Sequence, residues 1–117
     1  MRQATVSLGE DAQIPFTVVL GDTVVAATAG PTVSEVFVNG AHDAAQTAAA
    51  TVTQLADAGG TPIDGAYFVE LDTDALTVLD SVIVKVTATP TGGSPADGYF
   101  SVNFVDPAAA AGASRIV

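Results

Sequence analysis

Residues 63–88, I-D-G-A-Y-F-V-E-L-D-T-D-A-L-T-V-L-D-S-V-I-V-K-V-T-A, constrain the fold more than any other stretch of this chain. Tyr67, Val69 and Leu71 alternate with Phe68 and Glu70. Val82, Val84 and Val86 alternate with Ile83, Lys85 and Thr87. A period of two marks a pleated strand whose two faces meet different surroundings. Between the runs lies D-T-D-A-L, residues 72–76, a polar corner in which Leu76 is suited to plug a core. Strand, corner, strand is therefore the expectation, and a sheet with one buried face needs a second layer to bury it against.

The remaining segments supply that layer. Residues 12–20, A-Q-I-P-F-T-V-V-L, predict a strand with Ile14, Phe16, Val18 and Leu20 facing inward. Pro15 has no backbone donor, so this strand either lies at a sheet edge or enters the sheet at that point. Residues 23–27 suit a short second strand after the Gly21-Asp22 turn. In residues 32–39, T-V-S-E-V-F-V-N, strict alternation puts Val36 and Val38 on the core face and Val33, Glu35 and Phe37 on the other. Asn39-Gly40 is a strong turn signal. Residues 41–50, A-H-D-A-A-Q-T-A-A-A, suit a short helix, a loop or an extended polar edge. Residues 51–56 read as a strand with Val52 inward. In residues 99–105 Phe100, Val102 and Phe104 alternate with Tyr99, Ser101, Asn103 and Val105. Turn formers fill residues 57–65 and 89–98. About seven strands, with turn signals every 8–12 residues, are the pattern of an all-β, antiparallel β-sandwich. The expected organisation is an arm or short edge strand over residues 1–11, a sandwich over 12–106 and an alanine-rich tail over 107–117, in which Ile116 and Val117 offer an apolar anchor.

Composition excludes several functions. With 13 acidic and 3 basic residues the formal net charge is -10, which opposes nucleic-acid phosphates and anionic membranes. The same charge keeps a small protein soluble. There is no cysteine, so disulfides, thiolate metal sites and cysteine nucleophiles are out, and synthesis inside the cell is the expectation. No charged n-region followed by an apolar run opens the chain, so no secretory signal is expected. Every apolar run falls far short of the ~20 residues a membrane helix needs.

The candidates for chemistry are few. His42 is the single histidine and stands beside Asp43, but a relay also needs a nucleophile, and no G-x-S-x-G elbow is present. Asp72, Asp74 and Asp80 suggest an oxygen-ligand calcium loop. The EF-hand pattern requires glycine at the sixth position and glutamate at the twelfth; those positions hold Thr77 and Ile83. A looser calcium site beside Asp72 and Asp74 stays open, while the simpler role of Asp72 is to cap a turn or one-turn helix at residues 73–76. Paired carboxylates also serve glycoside hydrolysis, but the chain has no tryptophan platform beside them. Gly59-Gly60 and Gly92-Gly93 lack the strand, helix and lysine of a phosphate loop. No enzyme activity and no cofactor are expected.

The run G-A-Y-F-V-E-L-D-T-D-A-L-T-V-L-D-S-V-I-V-K-V resembles the "G-x-Y-x-x-x-L-T-x-x-x-L … G-x-V-x-V" pattern of immunoglobulin-like modules in tailed-bacteriophage virion proteins. Gly65, Tyr67, Leu71, Leu76, Val82 and Val84 match it, and Asp80-Ser81 replaces the glycine that many such modules carry before the valine strand. Residues 14–20, 36–40 and 51–55 fit the same module, so the resemblance spans residues 12–105. It implies an Ig-like sandwich and a non-enzymatic virion role, assembled in the host cytoplasm. A capsid decoration or head-fibre subunit is the first expectation, because little chain follows the sandwich. Its partners would be the major capsid protein or tail and portal components, in a homo-oligomer of the kind that is often trimeric. A tail or baseplate accessory, a carbohydrate- or receptor-binding module and a bacterial adhesion module are the alternatives. The interface residues expected under this reading are Val33, Phe37, Tyr99, Ile116 and Val117.

Overall fold

Alternating apolar residues in several segments are buried here by two sheets packed face to face. The computed structural model describes residues 2–8, 12–77 and 79–105. In chain order its elements are β1 (Arg2–Ser7), β2 (Ala12–Thr17), β3 (Val19–Leu20), β4 (Thr23–Val24), β5 (Ala27–Val38), β6 (Ala41–His42), α1 (Ala44–Ala49), β7 (Thr51–Ala56), β8 (Pro62–Leu71), β9 (Val82–Pro90) and β10 (Ala96–Val105). One sheet has the order β1-β10-β9-β5-β6 and the other β2-β8-β7, with β3 and β4 forming a separate hairpin. The sets β10-β9-β5 and β2-β8-β7 match the G-F-C and B-E-D order of immunoglobulin-type sandwiches. The all-β sandwich expected from the strand spacing is thus the observed fold, and residues 44–49 realise the short helix.

The core follows the period-two pattern closely. Ile14, Phe16, Tyr67, Val69 and Leu71 face Val36, Val82, Val84, Val86, Phe100, Val102 and Phe104, all buried. Phe16 joins the layers: its ring lies 5.7 Å from Tyr67 in its own sheet and 5.5 Å from Phe100 in the other. Val18 closes one end of the core. Leu76, the expected plug of the acidic corner, is buried at the other.

Three expectations change. The sandwich is not wholly antiparallel: β1 runs parallel to β10, from Arg2 opposite Phe100 to Ser7 opposite Val105. β1 leads into the opposite sheet rather than into a hairpin partner, so nothing obliges it to reverse direction. Leu20 does not face the core. The Gly21 turn folds Val19–Leu20 back on Thr23–Val24, which carries Leu20 out of the β2 line and leaves it exposed. Val33 does not share a face with Phe37. A register shift lies between Val33 and Glu35, and Val33 packs partly buried against the core. Such a bulge adds a residue to one strand and so breaks the alternation on which the sequence expectation rested.

Two local devices fix the layers. Asp43 caps α1 by accepting from the Gln46 N–H at 2.9 Å. The Thr47 hydroxyl accepts from the Val36 N–H at 2.9 Å, and the Asp43 N–H donates to the Val36 carbonyl at 2.9 Å. The capped helix therefore satisfies the stretch of β5 edge that the two-residue β6 leaves open. Gly65 adopts a φ of 80°, and its carbonyl accepts from the Val18 N–H at 2.9 Å. An added Cβ there would lie 2.6 Å from Val24 Cγ1, so the β3–β4 hairpin rests directly on this glycine. Among the described residues no helix is long and apolar enough to cross a membrane.

Candidate interaction surface

The pairing register places Phe37 and Tyr99 on one surface, the outer face of the five-stranded sheet. Phe37 pairs with Ile83 on one side and with His42 on the other, where the rings meet edge-on at 6.3 Å. Ile83 continues this row to Ser101 and Gln3. The next row runs Glu35, Lys85, Tyr99, and the next Thr32, Thr87, Asp97. Phe37 and Ile83 are half-buried by their neighbours, whereas Tyr99 is 44% exposed.

Charges on this face are few and partly matched. Lys85 Nζ lies 3.9 Å from Asp97 Oδ2, and the Thr87 hydroxyl donates to Asp97 Oδ1 at 2.7 Å. Glu35 stands opposite Lys85 in the register. The other described carboxylates, Asp22, Asp43, Asp57, Asp64, Glu70, Asp72, Asp74 and Asp80, lie in turns, at the helix cap or on the opposite sheet. In a chain of net charge -10 these rows carry Glu35, Lys85 and Asp97 as their charges, so the described outer face is close to balanced, and the rest of it is Thr, Ser, Gln, His and apolar side chains.

The other sites expected from the sequence are placed differently. Val33 belongs to the core side, as described above. Ile116 and Val117 lie outside the described residues. His42 sits exposed at the sheet edge against Phe37. In the acidic corner Asp72 Oδ1 accepts from the Asp74 N–H at 3.1 Å, which makes Asp72 a turn residue. Asp80 Oδ2 accepts from the Thr77 N–H at 2.8 Å and its Oδ1 from the Asn39 side-chain amide at 2.9 Å. The Thr77 backbone bond, then the Asn39 amide, hold the Asp80 carboxyl below its ordinary value, because both stabilise the ionised form. Among the described residues no cluster of three or more His, Asp or Glu side chains is arranged to hold a metal ion.

Two further apolar features lie outside the residues expected from the sequence. Phe68 stands half-buried on the outer face of the smaller sheet, between Pro15 and Thr53. The alternation that buries Tyr67 and Val69 already implies it. Leu79 is 89% exposed at the tip of the corner, where its position among hydrogen-bonding turn residues was the available signal. No protein-family model matches the chain, and neither the curated proteins nor the solved structures contain a match to it.

Proposed function

We propose that this chain is a non-enzymatic structural subunit that docks on a phage particle through the outer face of its five-stranded sheet. The observation that carries the docking surface is the contrast in charge. In a protein of net charge -10 this face sets Phe37, Ile83 and Tyr99 beside only two described carboxylates, Glu35 and Asp97, which Lys85 partly offsets. Interfaces enrich aromatic side chains, which this face presents at Phe37 and Tyr99. The virion setting rests on the sequence resemblance of residues 12–105, and the immunoglobulin-type strand order is compatible with it. Capsid decoration or a head-fibre base is the preferred placement, with a tail or baseplate accessory as the second. Fold alone does not assign such a role.

The deciding measurement is mass spectrometry of purified particles from the phage that encodes the chain. The expected result is the chain present at fixed stoichiometry to the major capsid protein. Its absence from intact particles sinks the reading.

A further inference from the structure

Asn39 and Gly40 are the two-residue loop of the β5–β6 hairpin, closed by the Val38–Ala41 pair. Both have positive φ, 52° and 84°, as a hairpin loop of this length favours. Both are exposed, and a Cβ added at Gly40 would meet nothing within 4 Å. The Gly40 N–H has no hydrogen-bond partner among the described residues. A carboxamide followed by so unhindered an amide nitrogen is the arrangement from which a succinimide ring closes. The rest of Asn39 is tied to the start of β9. Its N–H donates to the Ser81 carbonyl at 2.7 Å, its Oδ1 accepts from the Ser81 N–H at 2.9 Å, and its Nδ2 donates to Asp80 Oδ1 at 2.9 Å. Asp80 is itself held by the Thr77 N–H at 2.8 Å.

We infer that Asn39-Gly40 is a self-modifying site: the bonds to Asp80 and Ser81 hold the amide intact in the folded chain, and its conversion to a carboxylate parts the β5–β6 turn from the corner before β9. The Gly40 nitrogen attacks Asn39 Cγ and forms the C–N bond of a five-membered imide. The Cγ–Nδ2 bond breaks. The Gly40 N–H gives its proton to solvent, and Nδ2 takes one from solvent as it leaves as ammonia. Water then opens the ring at either imide carbonyl, giving aspartate or isoaspartate. The sum is a water consumed and an ammonia released, with no redox change. Ring closure turns the carboxamide onto its own backbone, so both side-chain bonds must part first. A bond to an ionised carboxylate is of the stronger kind, which makes Asp80 the main restraint. The aspartate product puts an oxygen where Nδ2 had donated to Asp80, and two carboxylates so close cannot both ionise without a cost. The isoaspartate product lengthens the loop backbone by a methylene, against the register of Phe37 with His42 and Val38 with Ala41. The site belongs to the chain alone and does not rest on the virion reading.

The full-length chain is incubated in mildly alkaline buffer, folded and in urea, and tandem mass spectrometry follows the amide-to-acid change at residue 39. Asn103, which Phe104 follows inside β10, is the internal control. Asn39 is expected to convert in urea and at least about tenfold more slowly in the folded chain, with Asn103 slow in both. Asp80→Ala is expected to raise the folded-state rate at least about threefold. Folded and unfolded rates that agree, or a folded Asp80→Ala chain below that rise, overturn the inference. The consequence of conversion has its own measurement, which does not need the alanine variant. Asn39→Asp is expected to lower the urea midpoint at neutral pH. Adding Asp80→Asn in the same chain is expected to restore it, because amide and carboxylate then exchange places. An Asn39→Asp chain as stable as wild type, or a double variant no more stable than the single one, overturns the parting of turn and corner.

Discussion

The side-chain Nδ2 of Asn39 donates to the Asp80 carboxylate at 2.9 Å, and its side-chain Oδ1 accepts from the Ser81 N–H at 2.9 Å. The turn that ends β5 and the corner that precedes β9 are thus clasped by one residue. Asn39 has a φ of 52°, a conformation that asparagine tolerates and glycine shares, so the turn residue doubles as the clasp.

This clasp has an expected pH signature. The Asp80 carboxyl lies below its ordinary value in the folded state, chiefly through the Thr77 N–H and then the Asn39 amide. A depressed carboxylate stabilises the fold above its unfolded value, about 4, and that contribution is lost as pH falls through the lower folded value. Asp80→Asn is therefore expected to lower the urea midpoint at pH 7. The gap to wild type should close as the pH drops below about 4. A gap that stays constant into acid would remove Asp80 from the pH response.

Gly65 and Gly60 make a matched pair of backbone tests. Both have positive φ, 80° and 83°, but Gly65 is packed against Val24 and the Val25 carbonyl while Gly60 faces open space. Gly60→Ala should cost about 1–2 kcal/mol, the left-handed penalty alone. Gly65→Ala adds an overlap at 2.6 Å, so it should cost a further ~1–3 kcal/mol and loosen the β3–β4 hairpin. Equilibrium unfolding of both variants checks the difference. Equal losses would show that the hairpin yields without resistance.

The aromatic bridge across the layers is open to a double-mutant cycle. Phe16→Ala and Phe100→Ala should each destabilise by ~3–5 kcal/mol, since both rings are buried. Their coupling should be about 0.5–1.5 kcal/mol at a ring separation of 5.5 Å. Strict additivity would mean that the rings fill space independently.

Much of this core is legible in the sequence, because β8, β9 and β10 bury alternate residues without interruption. Tyr67, Val82 and Phe104 need no partner to be recognised. Structure and local pattern differ where the partner strand decides. Val33 turns inward because a bulge inserts between it and Glu35, and the bulge depends on the register with β9. Leu20 turns outward because Gly21 closes a hairpin just after it, and that turn ends the β2 line before Leu20. The parallel pairing of β1 joins residues near opposite ends of the sequence, which no local pattern reports. For the surface, the sequence singled out Phe37 and Tyr99, but their common face and the role of Ile83 between them required the sheet order.

That face yields the prediction closest to function. Phe37 is half-buried beside Ile83 and His42 and points away from the core, so an aspartate there meets solvent and its fold cost should stay near 1 kcal/mol. On a docked face the same carboxylate would be desolvated without a cation, since Lys85 already stands 3.9 Å from Asp97. Phe37→Asp is therefore expected to leave the far-ultraviolet spectrum unchanged and to lower the thermal midpoint by only about 4 °C. In a particle-binding assay it should cut occupancy at least tenfold. Glu70→Ala, on the outer side of the opposite sheet, is the control and should bind as wild type does. If Phe37→Asp binds normally while Glu70→Ala does not, the docking surface belongs to the smaller sheet, with Phe68 at its centre.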